Sequence, residues 1–261
     1  MARLVLTRPQ TDAEPWRQAL QARGHTVASL PLIAIAAAPD PRPLQRAWQQ
    51  LGDWAALMFV SGNAVRHFFE QKPAVAPVQW AWGAIKTRAW APGPGTREAL
   101  LAAGLDARLV DSPAAQAAQF DSEALWQQVG GQLGAGTRVL VVRGGDASGQ
   151  AAGRDWLMAQ LLRSGVQVDT VVAYLRHAPV LDAQQLALAR SAAHDGSVWL
   201  FSSSEALAHL ERALPGQDWS RARALVTHPR IAQAARSAGF GVVCESRPAV
   251  DAVAAALESI E

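Results

Sequence analysis

Short runs of consecutive apolar residues alternate along the chain with longer segments in which apolar residues recur every three or four positions. The short runs include LVLT, AALMFV, RVLVV, DTVVAYL and SVWLF. Strands that are buried on both faces have this uninterrupted apolar character, because helices cover both sides of a parallel sheet. The alternation therefore predicts an α/β fold with parallel sheets, and not an all-α or all-β fold.

Three of these segments occur twice, in the same order along the chain. The pairs are LVLTRP at 4–9 and VLVVRG at 139–144, FVSGNAV at 59–65 and FSSSEAL at 201–207, and PGTREALLAAGL at 94–105 and PRIAQAARSAGF at 229–240. Three ordered matches predict two similar α/β halves. Two lobes also imply a cleft between them.

Composition and charge exclude several classes of protein. The chain has 50% hydrophobic and 18% charged residues, close to globular norms, and a dispersed net charge of +2. Such a charge indicates neither nucleic acid nor a membrane surface as a partner. No apolar run approaches the roughly 18 residues of a membrane span, and no signal-peptide core is present, so we expect a cytoplasmic protein.

The sequence gives little support for a metal site, a phosphate-binding loop or a covalent nucleophile. The lone cysteine, Cys244, cannot form an internal disulfide, and the six histidines never pair at helix-face spacing. The segment GGDASGQAAG at 144–153 lacks the Lys-Ser/Thr of a P-loop and matches the dinucleotide fingerprint poorly. No serine lies in a G-x-S-x-G elbow. We expect no metal site, no cofactor and no covalent nucleophile.

Polar residues follow the predicted strands at the repeated places. Unpaired N–H groups and the positive end of a helix attract anions where a strand ends and a helix begins. Arg8 and Arg143 each close a predicted strand, and their repeated placement leaves two alternatives open, an anion-binding arginine and a surface arginine beside a loop. After Arg8, the helix is expected to start near Thr11 or Asp12.

The other two repeated places lie at predicted helix starts. Ser61 and Asn63 in one copy, and Ser203 and Ser204 in the other, are residue types that cap helices, and the same short polar side chains can bind an anion. Thr96 opens a further helix in the first copy. Ile231 stands at the matching position of the second copy, so one half has lost a hydroxyl that the other keeps.

The repeated segments resemble the uroporphyrinogen-III synthase family and follow its order through nearly the whole chain. The matching segments are LTRP at 6–9, MFVSGNAV at 58–65, PGTREALLAAG at 94–104, VLVVRG at 139–144, LLRSGVQVDTVVAYLR at 161–176, FSSSEAL at 201–207 and HPRIAQAARSAGF at 228–240. The resemblance implies two flavodoxin-like, parallel-sheet α/β domains, joined by a two-stranded extended linker, with the active site in the cleft between them.

The resemblance also implies that the chain starts in one domain, crosses to the other and returns. We therefore expect residues 1–35 and 178–261 to form domain one and residues 40–172 to form domain two, with linkers at 36–39 and 173–177. Extended stretches that end in proline fall at both crossings, which supports this layout independently.

By the same resemblance, the chain is a hydro-lyase of haem biosynthesis that acts without a cofactor. Its substrate is hydroxymethylbilane, a linear tetrapyrrole with acetate and propionate side chains. The enzyme removes water, inverts the last pyrrole ring through a spiro intermediate, and closes the macrocycle to give uroporphyrinogen III. A monomer is expected, and a transient contact with the preceding enzyme of the pathway is compatible with it.

The single tyrosine, Tyr174, matches the tyrosine that the family places in its active site. A phenol with the usual pKa of about 10 is protonated at neutral pH and could donate to the leaving hydroxyl. The residues alone favour a tyrosine that packs its ring on a domain edge. The residues expected to bind the substrate carboxylates are Arg8, Ser61, Gly62, Asn63, Gly95, Thr96, Arg143, Gly144, Ser203, Ser204 and Arg230.

Two other functions remain open from the sequence. A non-catalytic ligand-binding or regulatory domain of the same fold would keep both lobes, although Tyr174 and the intact serine and threonine segments argue against it. A periplasmic-type solute binder would also be bilobed, but it should carry a secretion signal. The mismatches in the repeat, Ile33 opposite Tyr174 and Ile231 opposite Thr96, predict an asymmetric site on a symmetric scaffold.

Overall fold

The computed structural model of the chain divides into two compact units. It describes residues 3–73, 87–114, 117, 119–151 and 156–260. The terminal unit consists of Met1–Ile35 and His177–Glu261, and the central unit is Ala36–Arg176. These limits lie within a few residues of the expected domain limits.

Eleven strands and ten helices lie within the described residues. The strands are β1 (Leu4–Leu6), β2 (Val27–Ser29), β3 (Ala34–Ala37), β4 (Ala56–Phe59), β5 (Arg88–Trp90), β6 (Val110–Asp111), β7 (Arg138–Gly145), β8 (Gln167–His177), β9 (Val198–Phe201), β10 (Arg223–Val226) and β11 (Val242–Glu245). The helices are α1 (Gln10–Gln21), α2 (Arg42–Gln49), α3 (Gly62–Glu70), α4 (Pro94–Ala102), α5 (Ser122–Val129), α6 (Trp156–Arg163), α7 (Ala183–Ala192), α8 (Ser204–Ala213), α9 (Pro229–Ser237) and α10 (Val250–Ile260).

The terminal unit is built on a five-stranded parallel sheet with the order β11-β10-β9-β1-β2. Side chains of β1 alternate between its two faces. Val5 packs in the apolar cluster that contains residues of α7, α8 and α9, whereas Leu4 and Leu6 pack with residues of α1 and α10. All three are fully buried. Helices on both faces therefore explain the uninterrupted apolar run from which this strand was predicted.

The central unit contains a six-stranded sheet with the order β3-β8-β7-β4-β5-β6. From β8 to β6 the strand pairs are parallel. One face of β4 places Met58 against α5 and α6. On the other face the ring of Phe59 lies with its centroid 5.4 Å from that of Phe68 in α3. The backbone carbonyl of Phe68 accepts a hydrogen bond from the indole of Trp48 in α2. This unit is also a sheet between two layers of helices.

The two sheets have the same spatial order once the chain is followed through each unit. Strand β7 corresponds to β1, β8 to β2, β4 to β9, β5 to β10 and β6 to β11. This is the flavodoxin-like order in which the second strand lies outside the first. Gly24 and Gly165 end the first helix of each copy with φ of 86° and 76°, a conformation that favours glycine. The prediction of two similar parallel-sheet α/β halves is confirmed.

The chain passes between the units within two neighbouring strands, β3 and β8. The residues expected to form the second linker, 173–177, are the end of β8. One local prediction is wrong: α1 begins at Gln10 with Pro9 as its N-cap, one or two residues before the expected start. None of the described helices is long and apolar enough to cross a membrane.

Candidate functional site

Each sheet has a topological switch point, where the direction of its strand order reverses, and ligands are expected there at the carboxyl ends of the strands. In the terminal unit this point lies between β1 and β9, and in the central unit it lies between β7 and β4. Ligands of open parallel sheets bind at such points, because neighbouring loops leave the sheet in opposite directions.

In the central unit, Ser61 makes two hydrogen bonds at the end of β4. It is the N-cap of α3, and its Oγ accepts a hydrogen bond from the N–H of Ala64 at 3.2 Å. The same Oγ lies 2.9 Å from the hydroxyl of Tyr174, and either oxygen can be the donor in that pair. The expected capping role of Ser61 is confirmed, and the residue also contacts the single tyrosine of the chain.

Tyr174 is a strand residue with a buried side chain, and only 2% of the residue is exposed. It pairs with Gly144 of β7 at a place where the strand register shifts. A Cβ at Gly144 would lie 2.7 Å from Cζ of the Tyr174 ring and 3.0 Å from its hydroxyl. The tyrosine ring therefore occupies the space that any larger residue at position 144 would need.

The N-termini of α3 and α4 lie side by side. A Cβ at Gly62 would stand 3.6 Å from the carbonyl oxygen of Gly95, an ordinary contact distance. Asn63 is buried and accepts a hydrogen bond from Arg66 at 2.7 Å, and Thr96 is buried as well. The structure thus brings Ser61, Gly62, Asn63, Gly95 and Thr96 together around two helix starts.

Arg143 differs from its prediction, because it does not close a strand. Strand β7 continues to Gly145, and Arg143 lies inside it with 3% exposure. Its Nη1 donates a weak hydrogen bond to Sδ of Met158 at 3.4 Å. The surface-arginine alternative is therefore wrong for this position. Of the glycine-rich segment that follows, residues 152 and 153 lie outside the described residues.

In the terminal unit, Arg8 lies just beyond β1, and its guanidinium stacks 4.1 Å from the ring centroid of Trp16. The side chain as a whole is half-buried, but its Nε is enclosed and has no hydrogen-bond partner within the described residues. Burial lowers the pKa of Arg8 to about 10, with Asp12 opposing the shift. The group stays charged at neutral pH and is incompletely paired, which suits an incoming anion.

The remaining candidates of this unit lie at the starts of α8 and α9. Ser203 is the N-cap of α8 and accepts a hydrogen bond from the N–H of Glu205 at 3.2 Å, which confirms its capping role. Ser204 is the first residue of that helix. Arg230 is exposed near the start of α9, and its N–H donates to Nδ1 of His228 at 3.1 Å.

The isoleucines of the terminal unit that are equivalent to Tyr174 and Thr96 in the repeat are part of its apolar core. Ile33 and Ile231 are both buried and lie in one cluster of the terminal unit. The terminal unit thus fills with apolar side chains the two positions at which the central unit carries hydroxyls. The asymmetry expected from the imperfect repeat is present in the packing.

Sequence reasoning missed a repeated histidine. His67 in α3 and His209 in α8 occupy equivalent positions, six residues after the capping serine of each helix. The imidazole of His67 stacks on the Tyr174 ring with centroids 5.9 Å apart and planes at 22°. His209 is buried, and its Nδ1 lies 2.6 Å from the Leu32 carbonyl oxygen, to which it donates. The available signal was their shared position, two residues after the end of the FVSGNAV and FSSSEAL segments.

The described residues hold no group of three or more His, Cys, Asp or Glu side chains that could bind a metal ion. The polar groups gathered at the two edges are hydroxyls, amides, backbone N–H groups and arginines. Such groups can bind carboxylates and donate hydrogen bonds.

Solved structures support the fold. The chain is similar to a uroporphyrinogen-III synthetase from Helicobacter pylori, with 16% identity, a TM-score of 0.62 and full coverage of both chains. It is also similar to a mutant uroporphyrinogen III synthase from the extremely thermophilic bacterium Thermus thermophilus, with 17% identity, a TM-score of 0.59, and coverage of 100% of this chain and 98% of that one. At these identities the likeness shows the shared fold.

Membership of the family comes from the sequence match. The model of the family described as uroporphyrinogen-III synthase HemD matches residues 14–255, which is most of the chain. These comparisons give no support to the non-catalytic alternative. The segments quoted from the sequence, the two permuted flavodoxin-like units and this match agree, and the chain belongs to the uroporphyrinogen-III synthase family.

Proposed function

We propose that this protein converts hydroxymethylbilane to uroporphyrinogen III, with loss of water and inversion of the last pyrrole ring. Family membership supports the reaction as a whole. The observation that carries the assignment to residues is the 2.9 Å contact between the hydroxyls of Tyr174 and Ser61 at the carboxyl edge of the central sheet. The hydroxyl of a buried tyrosine usually finds a hydrogen-bond partner, and here the partner is the serine that caps α3 at the end of β4.

Tyr174 is the proposed hydrogen-bond donor to the hydroxyl that leaves the substrate. When its O–H points to the substrate, its oxygen can accept the O–H of Ser61. The Ser61 oxygen can still accept the N–H of Ala64, which lies 3.2 Å away. The hydroxyls of Tyr174 and Ser61 then each donate one hydrogen bond and accept one, so neither hydroxyl is left unsatisfied when substrate binds.

The contribution of this donor should be moderate. Loss of water leaves an azafulvene that is stabilised by its own pyrrole nitrogen. The leaving hydroxyl therefore needs a hydrogen-bond donor more than it needs full protonation. Positioning of the last ring is the larger requirement, because attack at the substituted carbon must be faster than simple head-to-tail closure.

The acetate and propionate groups are the proposed ligands of the remaining candidates. In the terminal unit, the charged Arg8 guanidinium, the start of α8 at Ser203 and Ser204, and Arg230 provide donors. In the central unit, the starts of α3 and α4 provide N–H groups at Gly62, Asn63, Gly95 and Thr96, beside Arg143 and Gly144. Helix starts and arginines are the groups that bind carboxylates most readily.

We also propose that the protein works as a cytoplasmic monomer on a small-molecule substrate. A small-molecule substrate fits the family. Hydroxymethylbilane closes spontaneously to isomer I, so a transient contact with the preceding enzyme of the pathway would shorten the exposure of the substrate to water.

The decisive experiment supplies freshly made hydroxymethylbilane and determines the product isomer. We expect uroporphyrinogen III from the wild-type protein, and isomer I alone would overturn the proposal. The variant Tyr174→Phe should slow turnover about 10- to 100-fold, at or below the lower end of what one positioned donor contributes, because the azafulvene is stabilised by its own pyrrole nitrogen. Its fold should be retained, with a thermal unfolding midpoint lower by only a few degrees from loss of the hydrogen bond to Ser61. Wild-type turnover in Tyr174→Phe would remove Tyr174 from the mechanism and leave the reaction assignment intact.

A further inference from the structure

The side chain of Tyr174 contacts Gly144 of β7 and two residues of α3 and its N-cap, Ser61 and His67. The backbone of Gly144 lies against the ring, so closely that an added Cβ would be 2.7 Å from Cζ. The Oγ of Ser61 holds the phenol oxygen at 2.9 Å. The imidazole of His67 stacks on the ring with centroids 5.9 Å apart. The first two contacts hold the ring near Cζ and at its hydroxyl, and the stacked imidazole adds a restraint on the plane of the ring.

We propose that His67 is a positioning residue, which fixes the plane of the Tyr174 ring so that its hydroxyl points to the leaving group of the substrate. The inference rests on the proposed function. His67 lies on α3, two turns after the start of the helix that Ser61 caps, so the residue that orients the ring and the residue that holds its hydroxyl belong to one rigid element.

Glu70 completes the arrangement by holding the imidazole. Its Oε2 lies 2.9 Å from Nδ1 of His67, one helical turn earlier. A carboxylate in this place accepts from Nδ1–H, which sets the tautomer and the ring orientation of the histidine. The side chain of His67 is only 16% exposed, against 51% for that of Glu70. The imidazole is therefore fixed between a partly solvated carboxylate and the buried phenol.

The equivalent histidine of the terminal unit has a different role. His209 donates to the carbonyl oxygen of Leu32, next to Ile33, and Arg212 stands where the central unit has Glu70. Where a tyrosine is present, the histidine lies on its ring and has a carboxylate partner one turn later. Where isoleucine replaces the tyrosine, the histidine binds the backbone. Of these two described histidines, His67 is the one with a carboxylate partner and a stacked ring.

The test measures kcat and KM for His67→Ala, His67→Phe and Glu70→Ala with hydroxymethylbilane, together with the isomer ratio. His67→Ala should lower kcat about tenfold with little change in KM, because misplacing a reacting group by 1 Å can cost up to about a hundredfold. His67→Phe keeps a flat ring against Tyr174 and should recover most of kcat. Glu70→Ala should fall between them. The exposed His194 provides a matched control, and His194→Ala should behave as wild type.

A double-variant cycle separates positioning from a general structural effect. In the Tyr174→Phe background the hydroxyl is absent, so His67→Ala should cause no further loss of kcat. Equal losses in both backgrounds would overturn the inference, as would a wild-type kcat in His67→Ala. If His67→Ala does not fold, a wild-type kcat in Glu70→Ala also overturns it. Isomer I alone from the wild-type protein would instead refute the proposed function.

Discussion

The two units share one scaffold but differ in what they place at equivalent positions. In the central unit Tyr174 pairs with Gly144. At the equivalent positions the terminal unit has Ile33 in place of the tyrosine and Pro9 in place of the glycine. Ile33 is buried with the core, whereas Tyr174 is buried with its hydroxyl on Ser61. Each unit has a parallel sheet, a serine-capped helix start and a histidine at equivalent places, and the central unit adds the contact between the hydroxyls of Ser61 and Tyr174. A repeated backbone thus carries different side chains at equivalent positions.

The arginines that follow the first strand of each unit differ in the same way. Arg8 keeps a charged guanidinium on Trp16 with an enclosed, incompletely paired Nε, whereas Arg143 lies inside β7 against Met158. Arg8 therefore lies just beyond the strand with its guanidinium against an aromatic ring. Arg143 is packed within the sheet that carries the tyrosine.

The largest expected effect comes from Gly144→Ala, which removes the space for the tyrosine ring. The added Cβ must displace the ring from 2.7 Å, so turnover should fall about a hundredfold and the free energy of unfolding by about 1–3 kcal/mol. Gly131→Ala, where a Cβ meets nothing within 4 Å, should leave both quantities unchanged. Turnover near wild type in Gly144→Ala would show that the ring position does not matter.

Replacing His67 and His209 in turn should distinguish the different roles of the two histidines. His209→Ala leaves the buried Leu32 carbonyl without its donor, and we expect it to lower the free energy of unfolding by about 2–3 kcal/mol. His67→Ala loses a stacking contact and should cost only about 1 kcal/mol. Thermal unfolding of both variants checks this order, and equal losses would mean that the two histidines are equivalent supports.

The two capping serines allow a finer comparison. Ser203→Ala removes a helix cap and should cost about 1 kcal/mol. Ser61→Ala removes a cap and also a buried hydrogen bond with Tyr174, so its cost should be larger by about 1 kcal/mol. Denaturant unfolding of the two variants side by side measures the difference. If the additional cost were absent, the contact between Ser61 and Tyr174 would contribute nothing to stability in the absence of substrate.

The smallest effect concerns ion pairs of two equivalent arginines, Arg3 just before β1 and Arg138 at the start of β7. Arg3 lies 2.6 Å from Asp195, whereas the equivalent Arg138 is 3.9 Å from Asp53 and instead binds Asp169 at 2.7 Å. Asp195→Asn should therefore cost more than Asp53→Asn, although less than about 1 kcal/mol, because the Arg3–Asp195 pair is partly exposed.

The cost of Asp195→Asn should also depend on pH. Burial opposes ionisation of Asp195, but hydrogen bonds from Ser197 and the charge of Arg3 outweigh it and hold its pKa below the usual 3.8. A carboxyl with a lowered pKa stabilises the fold above its unfolded pKa and loses that contribution as the pH falls through the folded value. The difference between wild type and Asp195→Asn should therefore shrink below about pH 3.8. A difference that stays constant into acid would assign it to packing.

Much of the fold could be predicted because local and repeated patterns agree with it. Buried strands such as β1 and β9 appear as apolar runs, and the repeat identified their counterparts. Ser61 and Ser203 could be predicted as helix caps, because capping depends on a few neighbouring residues.

The features that could not be predicted depend on long-range contacts. Strand β7 extends past Arg143 because Gly144 and Gly145 pair with β8, and no local signal encodes that partner. The stacking of His67 on Tyr174 joins residues that are far apart in the chain. It becomes visible only when α3 packs beside the end of β8.

The permuted connection has a consequence for the order of assembly. All strands from β4 to β8 lie within one continuous segment, so the central unit can fold while the chain is still being synthesised. Strand β1 can pair early with β2, where Leu4 faces Val27. Its pairing with β9 comes later, because Leu4 pairs with Val198, about 200 residues on, and such distant pairings are slow to form. The sheet of the terminal unit can therefore be completed only after the whole central unit has been synthesised.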